Sequence, residues 1–469
     1  MTAARMMSLH EAARAIAANA QGADAGFSGV STDSRTIAAG ELFVALQGDK
    51  FDGHAYVADV LARGAVGAVV DHGFAAAHAG LPLIGVGDTR LALGALAARW
   101  RARFAIPLLG ITGSNGKTTV KEMCAAILRA QFGDADSVLA TVGNLNNDIG
   151  LPLALLKLRD SHRAAVIEMG MNHAGEIDYL THLARPSVAL INNAQRAHLE
   201  GLGTVRNIAL AKGEIFAGLS AGGVAVFNAA DAQVDVWREL SRDYRQVSFG
   251  LDQSADVRGR FTVRGLGGEL HLATPWGEID AELGLPGFHG ARNACAAAAA
   301  TLVAGVSPAA VKQGLDGFGG VKGRLQRRAG RAGALVVDDS YNANPDSMRA
   351  AIDVLASVPG RRIFVMGDMG EAGAAAGQFH DEIGGYAKSQ GIDRLLCLGE
   401  MSAAAAANFG AGGQHFLQID DLAGTLLAEL GPQTTVLVKG SRFMRMERVV
   451  DAIVETPFNH RDTEAERKP

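Results

Sequence analysis

An apolar run that ends in a glycine-rich loop, with a helical pattern directly behind it, constrains this chain more than any other feature. The loop is Gly110-Ile-Thr-Gly-Ser-Asn-Gly-Lys-Thr-Thr119. Residues 107–112 read as a buried strand, and Val120, Met123, Cys124, Ile127 and Leu128 follow helical spacing. Glycines at such a junction let backbone N–H groups approach an anion, and the helix N-terminus adds its dipole. Lys117 is placed to reach the outer phosphates of a nucleotide, and Thr118 to offer a hydroxyl to Mg²⁺. The spacing departs from the common Gly-x-x-x-x-Gly-Lys form, which would put glycine where Ile111 stands. The loop is the shorter Gly113-Ser-Asn-Gly116-Lys-Thr. Gly113, Ser114, Asn115, Gly116, Lys117, Thr118 and Thr119 are the expected ATP contacts. A loop of this kind implies bound ATP without saying what receives the phosphoryl group.

The rest of the chain supplies the setting. At 469 residues it exceeds the roughly 250–300 at which a single core stops growing, so two or three domains are expected. Residues 41–46, 67–71 and 83–86 read as strands, and 89–104 as a helix. Pro107 disfavours helix in the residue before it, which closes a first domain at 1–105. From 106 to 319, apolar runs at 107–112, 164–169 and 188–192 alternate with helical patterns such as 204–219. That alternation predicts a parallel sheet covered on both faces. Residues 257–284 read instead as antiparallel hairpins, and helices follow at 289–304 and 308–315. Gly317, Gly319, Gly320 and Gly323 mark a hinge. Beyond it, 320–458 cycles again through strands at 334–338, 362–366, 394–398 and 436–438. The polar segment 459–469 reads as a disordered tail. The fold class expected is α/β in three domains: a small N-terminal α/β unit, a central phosphate-loop sheet with an antiparallel extension, and a Rossmann-like C-terminal unit.

Charge and cysteine usage exclude several function classes. Lys plus Arg number 44 against 49 Asp plus Glu, a formal net charge of −5, where a nucleic-acid binder needs a basic excess. Cys124, Cys295 and Cys397 lie far apart without a Cys-x-x-Cys pair, so neither a disulfide framework nor a zinc site is suggested. Buried thiols are expected. The N-terminus lacks an apolar signal core. The most apolar stretch, 294–306, is shorter than the roughly 20 residues that span a bilayer. A cytoplasmic protein without membrane insertion is expected.

Downstream polar residues are the candidates for chemistry. Glu168 closes an apolar strand, where ligands gather at the carboxyl ends of a parallel sheet, and could hold a metal or cap a helix. His198 follows the next strand and reads either as a metal ligand or as a structural histidine. Lys212, taken alone, reads as a solvated helical lysine. Asn144-Leu-Asn-Asn-Asp148 suits sugars and peptides, and equally suits turns. Asn344 before Pro345 reads as an N-cap and first helical position. Lys439, Ser441 and Arg442 follow the last strand and could face a substrate or start a capped helix.

Together these segments resemble the Mur ligase family over essentially the whole chain. The resemblance rests on the phosphate loop, Gly143-Asn-Leu-Asn-Asn-Asp148, Glu168-Met-Gly-Met-Asn-His173, Ala197-His-Leu-Glu-Gly201 and Ala211-Lys-Gly-Glu-Ile215. It continues in Asn293, Gly323-Arg324-Leu325, Asp338-Asp-Ser-Tyr-Asn-Ala-Asn-Pro345 and Val438-Lys-Gly-Ser-Arg442. It implies a cytoplasmic, ATP-dependent amide ligase of peptidoglycan precursor synthesis that works through an acyl phosphate. Asn-Leu-Asn-Asn, Ala-His-Leu-Glu and Asp-Ser-Tyr-Asn-Ala-Asn-Pro resemble the branch adding D-Ala-D-Ala to UDP-N-acetylmuramoyl-tripeptide. Glu371-Ala-Gly373 departs from the usual Glu-Leu-Gly.

By the same resemblance, Lys117, Glu168, His198 and Lys212 are the catalytic residues. Thr118, Glu168, His198 and Lys212 would serve two Mg²⁺ ions, with Lys212 carbamylated. Asn293, Arg324, Asp339 and Asn342 would contact the nucleotide. Ser31, Ser34, Arg35 and Phe43 would take the uridine-diphosphate end of the substrate, making 1–105 the UDP-binding domain. Asn144, Asn147, Asp148, Asn344, Lys439, Ser441 and Arg442 would take the rest. A monomer is expected. Another ligase of the family, a nucleotide-sensing scaffold and a phosphotransferase are the alternatives.

Overall fold

The computed structural model describes residues 5–197, 199–251, 254–371 and 373–455. The chain builds three main sheets, one after another. The first has five strands in the order Asn19–Ala20, Leu83–Val86, Gly67–Asp71, Glu41–Val44 and Gly29–Ser31, all parallel except the first pair. The second has nine. Val138–Ala140, Ala164–Glu168, Leu108–Thr112, Val188–Ile191, Val224–Asn228, Arg245–Leu251 and Val257–Arg264 run parallel. Gly267–Thr274 and Gly277–Leu283 then extend the sheet as antiparallel hairpins. The third has six, in the order Gln326–Ala329, Leu335–Asp339, Thr434–Lys439, Arg361–Gly367, Arg394–Leu398 and Gly413–Phe416, parallel after an antiparallel first pair.

The first strand of the central sheet to be laid down is an inner one. Leu108–Thr112 lies between Ala164–Glu168 and Val188–Ile191. The chain therefore leaves it in opposite directions on its two sides, and such a switch point opens a crevice at the carboxyl ends of the strands. The phosphate loop sits there. Its helix, Lys117–Phe132, begins at Gly116 in the left-handed region (φ 78°) and ends at Gly133 (φ 68°). Helices Gly287–Val303 and Pro308–Asp316 cover it from the same face. A Cβ on Gly314 would stand 2.5 Å from Ile127 Cα, so glycine is what lets the two helices touch backbone to backbone. The phosphate-loop helix is thereby pinned along its length.

The N-terminal and central units share a core. Leu42, Val44, Val69 and Ile84 of the first sheet join one apolar cluster with Leu155, Leu180 and Trp237 on helices of the central unit. Helix Thr89–Arg101 is the bridge: Trp100 donates its indole N–H to the Leu158 carbonyl (3.1 Å), and Arg101 reaches the Ala184 carbonyl (3.1 Å). The C-terminal sheet keeps separate cores on its two faces. Segment 317–325 connects it to the central unit, with Gly320 and Gly323 at positive φ. All three cysteines are buried, and among the described residues no helix is long and apolar enough to cross a membrane.

Candidate active site

A cleft of about 1290 Å³ runs between the three units, with the phosphate loop at its centre. The loop following strand Val188–Ile191 holds the phosphate loop in shape. Ser114 N–H donates to the Asn193 carbonyl (2.9 Å), and Asn115 N–H to Asn193 Oδ1 (2.8 Å). Asn192 Nδ2 donates to the Asn115 carbonyl and to Asn293 Oδ1, both at 2.9 Å. Gly116 is the tight point: a Cβ there would lie 2.6 Å from Asn192 Nδ2 and from Asn293 Oδ1. Lys117 folds back on its own loop, donating to the carbonyls of Gly113 (2.7 Å) and Ser114 (3.1 Å). Burial pulls its amine below the ordinary lysine value, and Glu168 and Glu371 partly restore it.

Beside the loop, Thr118 donates its hydroxyl to Glu168 Oε2 (2.8 Å), and Asn146 Nδ2 donates to Glu168 Oε1 (2.8 Å). Glu168 is buried at the end of its strand, and its N–H is held by Thr141 Oγ1 (3.0 Å). A hydroxyl and a carboxylate side by side are hard oxygen donors. They fit Mg²⁺, which takes one or two protein ligands and completes its shell with phosphates and water. Asn146 was missing from the expected site residues, although its neighbours Asn144, Asn147 and Asp148 were among them. All four border the cleft. Asn147 Oδ1 also accepts the Gly150 N–H (2.9 Å), a turn role, and Asp148 pairs with Arg90.

Lys212 is not a solvated lysine. It is 1% exposed on helix Val205–Gly213, and no carboxylate pairs with it among the described residues. Burial first, and then repulsion from Lys117, drives its amine well below the ordinary lysine value. His198, the other expected metal ligand, lies outside the described residues.

The C-terminal unit forms the opposite wall. Arg324, Asp339, Asn342, Asn344 and Arg442 border the cleft from that side, and Asn293 borders it from helix Gly287–Val303 of the central unit. Asn344 caps helix Pro345–Ala356 and exchanges hydrogen bonds with Asn115 of the phosphate loop (2.8 and 3.3 Å). Arg324 lies over the Tyr341 ring (4.2 Å) and Arg442 approaches the same ring (5.8 Å). Lys439 borders the cleft as well. It is buried against Asp339 (2.6 Å) and the Asn342 carbonyl (2.9 Å), a brace beneath the wall. Burial raises the Asp339 carboxyl, an effect its lysine partner opposes. Ser441 likewise accepts the Gly370 N–H (2.7 Å) and steadies the neighbouring loop.

The four N-terminal residues do not line this cleft. Ser31 makes a local turn with Asp33, the exposed Arg35 pairs with Asp33 (2.8 Å), and the Ser34 carbonyl meets Arg63. Phe43 needs correction as a ligand contact: its side chain is 1% exposed, in the core with Val57, Val60 and Val70. Both faces of strand Glu41–Val44 are buried, so alternation along the sequence could not tell an inward residue from a site residue. Asp88, Arg90 and Leu91, at the start of the bridging helix, are what the N-terminal side contributes to the cleft.

A phosphate loop at a switch point, with a third unit touching that loop across the crevice, defines the class: a three-domain α/β protein of the phosphate-loop type. The chain belongs to the Mur ligase family. Its family, middle and glutamate-ligase domain models match residues 26–101, 111–301 and 323–442. The chain is 44% identical to the UDP-N-acetylmuramoyl-tripeptide–D-alanyl-D-alanine ligase of Escherichia coli, over 93% of this chain and 95% of that one. Among solved structures it resembles MurF from Acinetobacter baumannii (TM-score 0.87, 36% identity, 95% and 98% of the two chains). It also resembles MurF from Thermotoga maritima in complex with ADP (TM-score 0.77, 26% identity, 90% and 96%).

Proposed function

We propose that this chain joins D-alanyl-D-alanine to UDP-N-acetylmuramoyl-tripeptide at the expense of ATP, releasing ADP and phosphate. The observation that carries the reading is the shared site: phosphate loop, Thr118–Glu168 pair and C-terminal wall meet in one cleft. The full-length likeness to the E. coli ligase supports it.

A carboxylate is a poor acylating agent because its charge repels nucleophiles and its leaving group would be oxide. In the first step a terminal carboxylate oxygen of the tripeptide bonds to the γ-phosphorus, and the β–γ bridging P–O bond breaks to release ADP. In the second, the dipeptide's neutral amine bonds to the acyl carbon, phosphate departs, and the amine's spare proton goes to solvent. The first step brings two anions together, costing about 4 kcal/mol per pair of unit charges at 4 Å and an effective dielectric near 20. Lys117 opposes that cost. It leaves its two loop carbonyls for the phosphates, a short move inside a prebuilt loop. Thr118 and Glu168 would hold Mg²⁺, which when bound supplies further positive charge to the phosphates. Asn293, Arg324, Asp339 and Asn342 border the cleft on the side where the nucleotide would lie.

Lys212 suits carbamylation because only a neutral amine adds CO₂, and burial beside Lys117 favours the neutral form. A carbamate would turn a buried neutral amine into an anion beside Lys117 and give a hard metal an oxygen ligand. Dependence on ATP and a nucleotide-linked substrate supports a cytoplasmic location.

The deciding experiment incubates purified protein with Mg²⁺, ATP, UDP-tripeptide and D-Ala-D-Ala. The expected result is UDP-pentapeptide formed one for one with ADP; ADP release without the joined product would refute the reading. Single amino acids in place of the dipeptide should give no product. With ¹³C-bicarbonate, a carbamate carbon signal is expected in the wild type and not in Lys212→Ala, which should lose most activity.

A further inference from the structure

Arg196 spans the central and C-terminal units. It ends the loop that holds the phosphate loop: one residue earlier, Gln195 accepts from Asn115 Nδ2 (2.6 Å), and its N–H donates to Ser114 Oγ (2.9 Å). From there Arg196 donates Nε and Nη2 to Asp346 Oδ1 (2.9 and 2.7 Å), while its backbone N–H donates to Asp346 Oδ2 (2.8 Å). The far edge of the guanidinium meets both oxygens of Glu382 (3.0 and 3.1 Å), which Arg349 also contacts (3.0 Å). Its carbon lies 5.5 Å from the Phe379 ring centroid. Side-chain exposures of 27%, 23% and 29% for Arg196, Asp346 and Glu382 take the cluster partly out of solvent.

Asp346 lies in the first turn of helix Pro345–Ala356, two residues after Asn344. The clamp on Asp346 thus fixes where the helix cap stands, and Asn344 meets Asn115 at the top of the phosphate loop. We infer that Arg196 is a positioning residue: by gripping Asp346 and Glu382 it holds the C-terminal wall against the phosphate loop before any ligand arrives. This inference rests on the proposed reading in which that wall contacts the nucleotide. Two carboxylates from the C-terminal unit and one forked cation from the central unit make a joint specific in angle as well as distance. Lysine carries the charge without the fork. Apparent affinity falls with the fraction of molecules already in the binding arrangement, so loosening the joint weakens nucleotide binding without removing a nucleotide contact.

The test is calorimetric binding of Mg·ADP to the full chain, a readout that does not require product formation. Arg196→Ala is expected to weaken ADP about tenfold, and Arg196→Lys to recover only part of that loss. Asp346→Asn, which keeps shape and some acceptor capacity, should fall between Arg196→Ala and the wild type. In a double-mutant cycle, Asn344→Ala should weaken ADP severalfold in the wild type and by less than twofold in Arg196→Ala, since both act through one contact. Higher salt should weaken ADP binding more steeply in the wild type than in Arg196→Ala. Wild-type affinity in Arg196→Ala with an unchanged thermal transition would overturn the inference, as would losses that simply multiply. A wild type that binds ADP but makes no pentapeptide would instead overturn the proposed reaction and leave the joint standing.

Discussion

At the scale of single residues, the site is built from side chains that hold one another. Glu168 can serve a cation because Asn146 and Thr118 occupy its two oxygens in fixed directions. Partners of this kind, when removed, cost on the order of 10–100-fold in metal affinity or activity. Asn146→Ala is therefore expected to lower ligase activity by about that much at limiting Mg²⁺, with part recovered at high Mg²⁺; a titration of rate against Mg²⁺ reads it. His289 gives a pH signature. Its Nε2 is sealed without a hydrogen-bond partner among the described residues, and burial lowers the ring to about 4, helped by Arg292 and Lys439. Between pH about 4 and the ordinary value of 6.5 the unfolded chain binds a proton that the folded one refuses. Stability therefore rises with pH across that window and is flat outside it. The slope is at most about 1.4 kcal/mol per pH unit, and less because one edge of the ring opens on the cleft. His289→Asn should remove it, as denaturant midpoints at pH 4.5 and 7 would reveal.

At the scale of elements, the phosphate loop was readable because strand, loop and helix are contiguous between 107 and 132. The motif itself is consecutive in the chain, although the side chains that hold its shape, from Asn192, Asn193 and Gln195, are distant in sequence. The glycine requirement is steric: Gly116→Ala would place a methyl 2.6 Å from two asparagine side chains at φ 78°. A left-handed non-glycine residue costs roughly 1–2 kcal/mol before the clash is added. The expected outcome is loss of measurable Mg·ADP binding with a lowered melting temperature, by calorimetry and thermal scan. Strands Val224–Asn228 and Arg245–Leu251 went unread, though both lie in the middle of the central sheet. Val224–Asn228 is a short apolar run that does not separate from buried helix by pattern alone, and Arg245–Leu251 alternates over too few residues to stand out, with no distinctive loop behind either.

At the scale of the molecule, the first two units behave as one body through their shared core and the helix between them, and the third is joined by a glycine-bearing segment and a polar seam. The joint of Arg196 with Asp346 and Glu382 favours the closed arrangement, and nucleotide with UDP-tripeptide is expected to draw in the remaining molecules, in which the C-terminal unit has rotated open about 317–323. Closure would exclude water that hydrolyses an acyl phosphate. Solution scattering should show a smaller radius of gyration with both ligands than without; superimposable curves would count against rotation.

What the amino-acid order determined by itself was the alternation of strands and helices, the place of the phosphate loop and the membership of the family, because these are carried by neighbours in the chain. Tertiary structure alone decided which side chains meet: Asn146 with Glu168, Arg196 with Asp346 across 150 positions, Lys439 beneath Asp339, Lys212 buried, Phe43 turned into the core. Those pairings depend on sheet order and on which face of a doubly buried strand looks outward, and neither leaves a periodic trace along the chain.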